Sequence, residues 1–473
     1  MKNIIKNFSS RLLYFVLFLG ISSVSYSKIY LDYEADPLPL IKINILIPAK
    51  EAFKTDTENL GLKILEECFE GGTLKIDKQK YQDLLASYGA SLEISTGQSY
   101  QEVGLTFPLS GGKIPEGLVQ LTKDSLYEPR IIDETYEQAR KLLKANFIAT
   151  LERDSSLLIS AMNRYMGAKL FNFPFYESST FDRVNIAAIQ DLHKNYYNHA
   201  NIWIGVIGPK ELKEEIKKLS QKLFSNSGDI EEGMLETELK SGFALPQTGK
   251  MSPTFILIDK KDLAQIDYGF IRVAHQKKEN QHELTDKIIN YLLTRAGIDS
   301  IYGRKIRAEK GLAYQVSGIY TEYLDFPVIS LFSNPQRSKQ KEAIEVLSDL
   351  VKGTFEKADL INTLPDPFFN SKLLSYKNGE RQDGATPDGR LHRRKDVATN
   401  DMSFDFYKSN IDKWNVSKTQ ATKRLTSFTK NSSMVMGIIG DASELEPLVK
   451  KSFPKYQLIK ISYKDVIENT WLK

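Results

Sequence analysis

Ile202-Trp-Ile-Gly-Val-Ile-Gly208 is echoed late in the chain by Met434-Val-Met-Gly-Ile-Ile-Gly440. In both places a Glu-Leu pair (Glu211-Leu212, Glu444-Leu445) follows within a few residues, where a helical pattern begins. The two copies close equivalent halves of the chain. Working outward, Ile41 to Ala49 alternates apolar and polar residues as a half-buried strand does, and a helical pattern follows around Leu60 to Phe69. The second half repeats that order, with Ile266 to Ala274 ahead of a helical pattern from Glu283 to Ala296. The chain therefore reads as two homologous modules, each of ordinary domain size.

Within the first module a second helical pattern, Ile76 to Gly89, ends on a glycine suited to a left-handed helix C-terminus. Ser91 to Thr96 and Glu102 to Leu109 then read as a hairpin. Strands, helices and strands again predict an α+β fold: in each module a mostly antiparallel sheet with helices packed on one face. The expected boundaries are 28–226 for the first module and 252–473 for the second. The polar, charged stretch 227–251 between them reads as a linker. Asn362 to Asn400 mixes Pro, Gly, Asp and the basic run Arg393-Arg394-Lys395; it reads as an exposed loop over irregular helices, or as a docking surface for a partner.

The 473 residues are 41% hydrophobic and 26% charged, and 64 basic against 60 acidic side chains leave a net charge of +4. That balance gives no basic field of the kind nucleic acid requires. Lys2, Lys6 and Arg11 precede the apolar run Leu12 to Ile21, and small residues follow at Ser25 and Ser27, so residues 1–27 read as a secretory signal peptide, with an uncleaved anchor as the alternative. The run is shorter than the roughly 20 residues of a membrane span, and no later stretch approaches that length, so no stable membrane insertion is expected after cleavage. The single cysteine, Cys68, excludes an internal disulfide and a cysteine metal cluster. An exported chain of this kind is expected in a bacterial periplasm.

Several stretches in order resemble the insulinase and pitrilysin family of inverted-zincin metallopeptidases, in its bacterial branch similar to mitochondrial processing peptidase. They are the strand at Ile41, the frame Gly61-Leu62 to Gly72-Thr73, the hairpin entry at Tyr88, Phe171 to Glu177, Tyr196 to Gly208, and Arg307 to Gly318. Active members carry His-x-x-Glu-His on a helix after that Gly-Leu. Histidines at i and i+4 share one helical face and grip zinc, and the glutamate deprotonates the bound water. Aligned on Gly61, the five positions are Ile64, Leu65, Glu66, Glu67 and Cys68; aligned on Gly72-Thr73 they are Lys63 to Glu67. Neither register holds a histidine, since none precedes His193. The family's distal glutamate falls on Ala145, beside Asn146. A family-type zinc site is therefore not expected, and Glu67 has no metal-bound water to act on. A rebuilt site on Cys68 with Glu66 and Glu67, or a cysteine-protease site, is disfavoured by the same spacing.

The resemblance also implies what is kept. Arg307-Ala-Glu-Lys-Gly-Leu-Ala-Tyr314 matches the pattern with which the family holds the substrate backbone across the chamber from zinc. Arg supplies a fixed donor fork and Tyr a hydroxyl, a pair suited to a peptide carbonyl or a developing oxyanion. Smaller members pair a zinc-bearing subunit with one lacking the motif, each forming half of a clamshell. The resemblance thus implies a chain with no catalytic residue or cofactor of its own. It would bind unfolded peptide through Arg307 and Tyr314 and complete the site of a His-x-x-Glu-His partner that carries the zinc. The alternative is a peptide-binding or scaffold protein with no proteolytic partner.

Overall fold

The computed structural model describes residues 28–472 apart from 49–53, 98–99, 172, 200, 225–229, 234–250, 277–281, 296–298, 324–325, 358, 400–410 and 412–413. The expected signal peptide, and the expected linker beyond residues 230–233 and Met251, lie outside the described residues.

The first sheet holds β1 (Ile29–Ala35), β2 (Leu40–Pro48), β3 (Ser91–Thr96), β4 (Tyr100–Pro108), β5 (Ile202–Gly208) and β6 (Ile230–Glu232) in the order β3-β4-β2-β5-β1-β6. The second holds β7 (Thr254–Asp259), β8 (Asp267–Ala274), β9 (Val316–Tyr323), β10 (Phe326–Ser333), β11 (Ser432–Gly440) and β12 (Gln457–Ser462) in the order β9-β10-β8-β11-β7-β12. The second order is the first with six added to every strand number. The repeated heptapeptides are β5 and the end of β11, at the same place in their sheets. Both are buried throughout, as a central strand covered on two faces must be. Each sheet is mixed: β3-β4, β4-β2 and β2-β5 pair antiparallel, while β5-β1 and β1-β6 pair parallel, and the second sheet repeats this. β6 falls inside the stretch read as linker and pairs with β1.

The helices of the first module are α1 (Asp56–Phe69), α2 (Lys78–Ser87), α3 (Glu116–Tyr127), α4 (Asp133–Leu151), α5 (Asp154–Met166), α6 (Ile186–His199) and α7 (Lys213–Leu223). Those of the second are α8 (Glu283–Asn290), α9 (Gln340–Val351), α10 (Asp366–Ala385), α11 (Pro387–Thr399), α12 (Lys418–Lys430), α13 (Ala442–Ser452) and α14 (Tyr463–Glu468). Each module buries an apolar core between its sheet and its own helices.

Helices on one face describe only half of the arrangement, because each module also lends a helix to the other. α5 lies across β8 and β11 of the second sheet, and α11, which like α5 follows the longest helix of its own module, lies across β2 and β5 of the first. The α5 crossing is apolar: Leu157, Leu158, Ala161 and Met162 pack on Ile256, Ile271, Val435 and Ile439. A Cβ on Gly437 would stand 2.7 Å from Leu158 and 2.8 Å from Met162, so the close approach requires the glycine. The apolar cluster at the α11 crossing is small: Ala398 packs with Leu46 and Trp203, with Tyr30 and Tyr100 against them. The crossing is held instead by ion pairs: Arg390 with Glu34 (2.7 Å) and Asp36, Arg394 with Glu34 (2.6 Å) and Asp32, and Lys395 with Glu102 (2.9 Å). The expectation of an exposed loop at Asn362 to Asn400 is thus corrected. Residues 366–399 form two helices; Arg394 and Lys395 of the basic run dock on the chain's own first module, while Arg393 pairs with Glu380 of α10 at 3.2 Å.

Candidate functional site

α1 begins with a capping box, in which the Thr55 side chain accepts from the Glu58 N–H and Glu58 reaches back to the Thr55 N–H. Its apolar stripe includes Leu60, Ile64, Leu65 and Cys68, all at most 1% exposed. The helical period then turns Lys63, Glu66 and Glu67 to the half-open face. Of the motif positions assigned from sequence, Ile64 and Cys68 therefore lie in the core, and Glu67 on the open face. The register beginning at Lys63 is the one that turns an i, i+4 pair outward. Ala145 is exposed on α4, which packs against α1.

The residues at this face do not fit zinc. The outward pair is an ammonium and a carboxylate, Lys63 and Glu67, and the Lys63 ammonium is held by Glu66 at 3.0 Å and by the Thr96 carbonyl at 3.0 Å. A cation placed there meets a fixed positive charge and no imidazole. Among the described residues no group of three His, Cys, Asp or Glu side chains is placed to hold a metal ion. Partial burial, with Glu70 and Glu66 nearby, raises the Glu67 pKa above the usual carboxylate range. Burial, reinforced by Glu67, pushes the Cys68 thiol up to about 12, the reverse of what a nucleophile needs. His193 packs edge-on against Phe69, and its Nε2 lies 2.6 Å from the Leu126 carbonyl; burial lowers its pKa.

Arg307 and Tyr314 are brought together. Arg307 lies in a helical stretch, Ile301–Gly303 continued by a π-helical turn at Arg304–Ala308. Gly311, at φ +55°, reverses the chain, and its N–H donates to the Arg307 carbonyl at 3.0 Å. The chain then runs into β9, so Tyr314 stands just ahead of that outer strand. The Arg307 guanidinium sits 4.3 Å from the centre of the Tyr314 ring, and Tyr314 is 82% exposed. Among the described residues neither side chain has an acidic or hydrogen-bonding partner. The same device serves the first module, where Gly89, at φ +61°, ends α2 ahead of β3.

Two arrangements escaped the sequence reading. One is the grip of Lys63 and Glu66 on the end of β3, for which the only signal was a Lys-Glu pair at i, i+3. The other is the seat of α11. Its signal was legible as Asp32, Glu34 and Asp36 alternating along one strand face, and Arg390 and Arg394 at i, i+4 on a helix.

Residues 183–360, which include Arg307 and Tyr314, match the family model described as the peptidase M16 inactive domain. No curated protein matches the sequence. The fold is similar to a peptidase M16 inactive domain from Pseudomonas fluorescens, at TM-score 0.69 and 12% identity over 89% of this chain and 97% of that one. It is similar also to a protease from Helicobacter pylori, at TM-score 0.67 and 12% identity over 86% of this chain and 96% of that one. A third similar structure is the periplasmic protease PqqL from Escherichia coli, at TM-score 0.67 and 9% identity over 86% of this chain but 44% of that one. Among the described residues no helix is long and apolar enough to cross a membrane. Residues 183–360 are therefore similar to the peptidase M16 inactive domain, and the chain shares the fold of a solved M16 inactive domain across 89% of its length.

Proposed function

We propose that this chain is the noncatalytic subunit of an exported, periplasmic zinc endopeptidase, binding unfolded peptide and lending Arg307 and Tyr314 to the site of a His-x-x-Glu-His partner. The observation that carries the proposal is the contrast between the two modules. The first presents Lys63 and Glu67 where a metal helix needs histidines, while the second presents an Arg–Tyr pair 4.3 Å apart on an open surface, with no acid to neutralise it among the described residues. Arg307 can direct N–H donors at a carbonyl oxygen and hold them there as negative charge develops, and the Tyr314 hydroxyl can add a further donor. Neither group supplies a nucleophile or a proton acceptor suited to neutral pH, so the chemistry has to come from the partner. Export is supported by the sequence pattern of residues 1–27 and by the similarity to a periplasmic protease.

The test is reconstitution of the purified pair. Arg307→Ala is expected to lower kcat/KM by about a hundredfold while the pair stays associated, as loss of an oxyanion donor does. Unchanged turnover would remove the proposed role.

A further inference from the structure

Arg304 opens the π-helical turn that carries Arg307. Three residues apart on one turn, the two side chains are neighbours on its surface. Each guanidinium rests on an aromatic ring. Arg307 lies over Tyr314, and Arg304, which is exposed, lies 5.4 Å from the ring centre of Phe368 in the first turn of α10. Lys372, one turn further along α10, places its ammonium 5.3 Å from the centre of the same ring. A ring holds a cation through its quadrupole and leaves the N–H edge of a guanidinium open to a carboxylate. The acids nearby do not fill that edge. Glu309 pairs with Lys305 at 2.7 Å, Glu342 with Lys310 at 3.4 Å and Asp366 with Lys418 at 2.8 Å. Asp299 approaches Lys372 at 3.9 Å and is itself largely exposed. Among the described residues Arg304, like Arg307, has no carboxylate partner.

Two cations drawn to one ring, beside a third on Tyr314, repel one another, and Asp299 alone does not neutralise them. Such a surface favours an anion from outside. We propose that Arg304 and Lys372, carried on Phe368, form a subsite that reads an acidic side chain of the peptide held by Arg307 and Tyr314. An extended peptide advances about 3.3 Å per residue, so an Asp or Glu one or two places from the residue at Arg307 comes within reach of Arg304. Its carboxylate accepts from the open guanidinium edge, and the Lys372 ammonium adds a charge behind the same ring. The substrate class this selects is unfolded peptide bearing acidic residues. The subsite rests on the reading of Arg307 and Tyr314 as the pair that holds the peptide.

The test is the binding of two blocked, dye-labelled peptides to the full chain, one of alternating Ser and Glu and one of alternating Ser and Gln, followed by fluorescence anisotropy. The wild type is expected to bind the Glu peptide about fivefold more tightly, as a charge-assisted pair at an open surface does. Arg304→Gln is expected to make the two affinities equal, and Arg304→Lys, which keeps the charge without the fork, to restore part of the difference. Lys305→Gln removes a charge from the same turn outside the subsite and is expected to preserve the preference. Tyr314→Phe is expected to weaken both peptides by the same factor. A Glu peptide bound no more tightly than the Gln peptide by the wild type, or a preference that survives Arg304→Gln, overturns the subsite and leaves the peptide-holding pair standing. A preference lost equally in Lys305→Gln overturns it in favour of a diffuse field. Failure of both peptides to bind the wild type overturns the pair and the subsite together.

Discussion

Replacing Arg394 by methionine tests the reciprocal helix exchange where it departs from symmetry. Arg394 is 8% exposed and pairs with Asp32, 9% exposed, and with Glu34, while Arg390 continues to serve Glu34 and Asp36. The substitution keeps most of the side chain's volume and removes the charge, so the main cost is the loss of the Arg394 ion pair by a nearly buried Asp32 carboxylate. Breaking a buried pair from one side costs about 3–5 kcal/mol, and the surviving Arg390 places this case near about 3 kcal/mol. Asp32→Leu/Arg394→Met removes both charges and is expected to recover most of that loss. Urea unfolding followed by far-ultraviolet circular dichroism gives both values. An Arg394→Met midpoint equivalent to less than about 0.5 kcal/mol, or a double variant no more stable than the single, would refute the reasoning.

Two further outcomes follow from the same packing. Asp267 is raised to about 6 from 3.8 by burial and then by Asp154, with Lys260 opposing; Lys260 itself pairs with Asp154 at 2.5 Å and lies over Tyr463. A carboxyl with a raised folded pKa binds protons more tightly when folded, so its contribution to stability is lost as pH rises from about 4 to about 6. After allowance for its partial exposure the loss is no more than about 2 kcal/mol, and Asp267→Asn should flatten the pH dependence of the melting temperature in that window. Cys68, 0% exposed, should resist a thiol reagent in the native protein and react once unfolded; fast native labelling would contradict its place in the core.

Much of the fold was legible because a two-module chain states its pattern twice. The heptapeptides at Ile202 and Met434 occupy equivalent strands, and the hairpin at Ser91 is present as β3 and β4. The contacts that depend on the other module were less legible. Arg394 and Lys395 looked exposed because their acidic counterparts, Asp32, Glu34 and Glu102, lie far away in sequence, and only the folded chain brings them together. At the candidate site, Arg307 and Tyr314 were singled out by the resemblance, whose pattern holds both in one short stretch, and the turn at Gly311 brings the two side chains together. The register of the altered zinc motif could not be read, since Ile64 with Cys68 and Lys63 with Glu67 are both i, i+4 pairs and only packing decides which faces the core.

The most direct test of the central claim is a pull-down of the tagged mature chain from its native envelope extract, with mass spectrometry and a chelator-controlled peptidase assay on the eluate. The account predicts a companion bearing His-x-x-Glu-His, activity abolished by zinc chelation, and loss of that activity but not of the companion with Arg307→Ala. A chain that elutes alone, inactive and free of zinc, contradicts it.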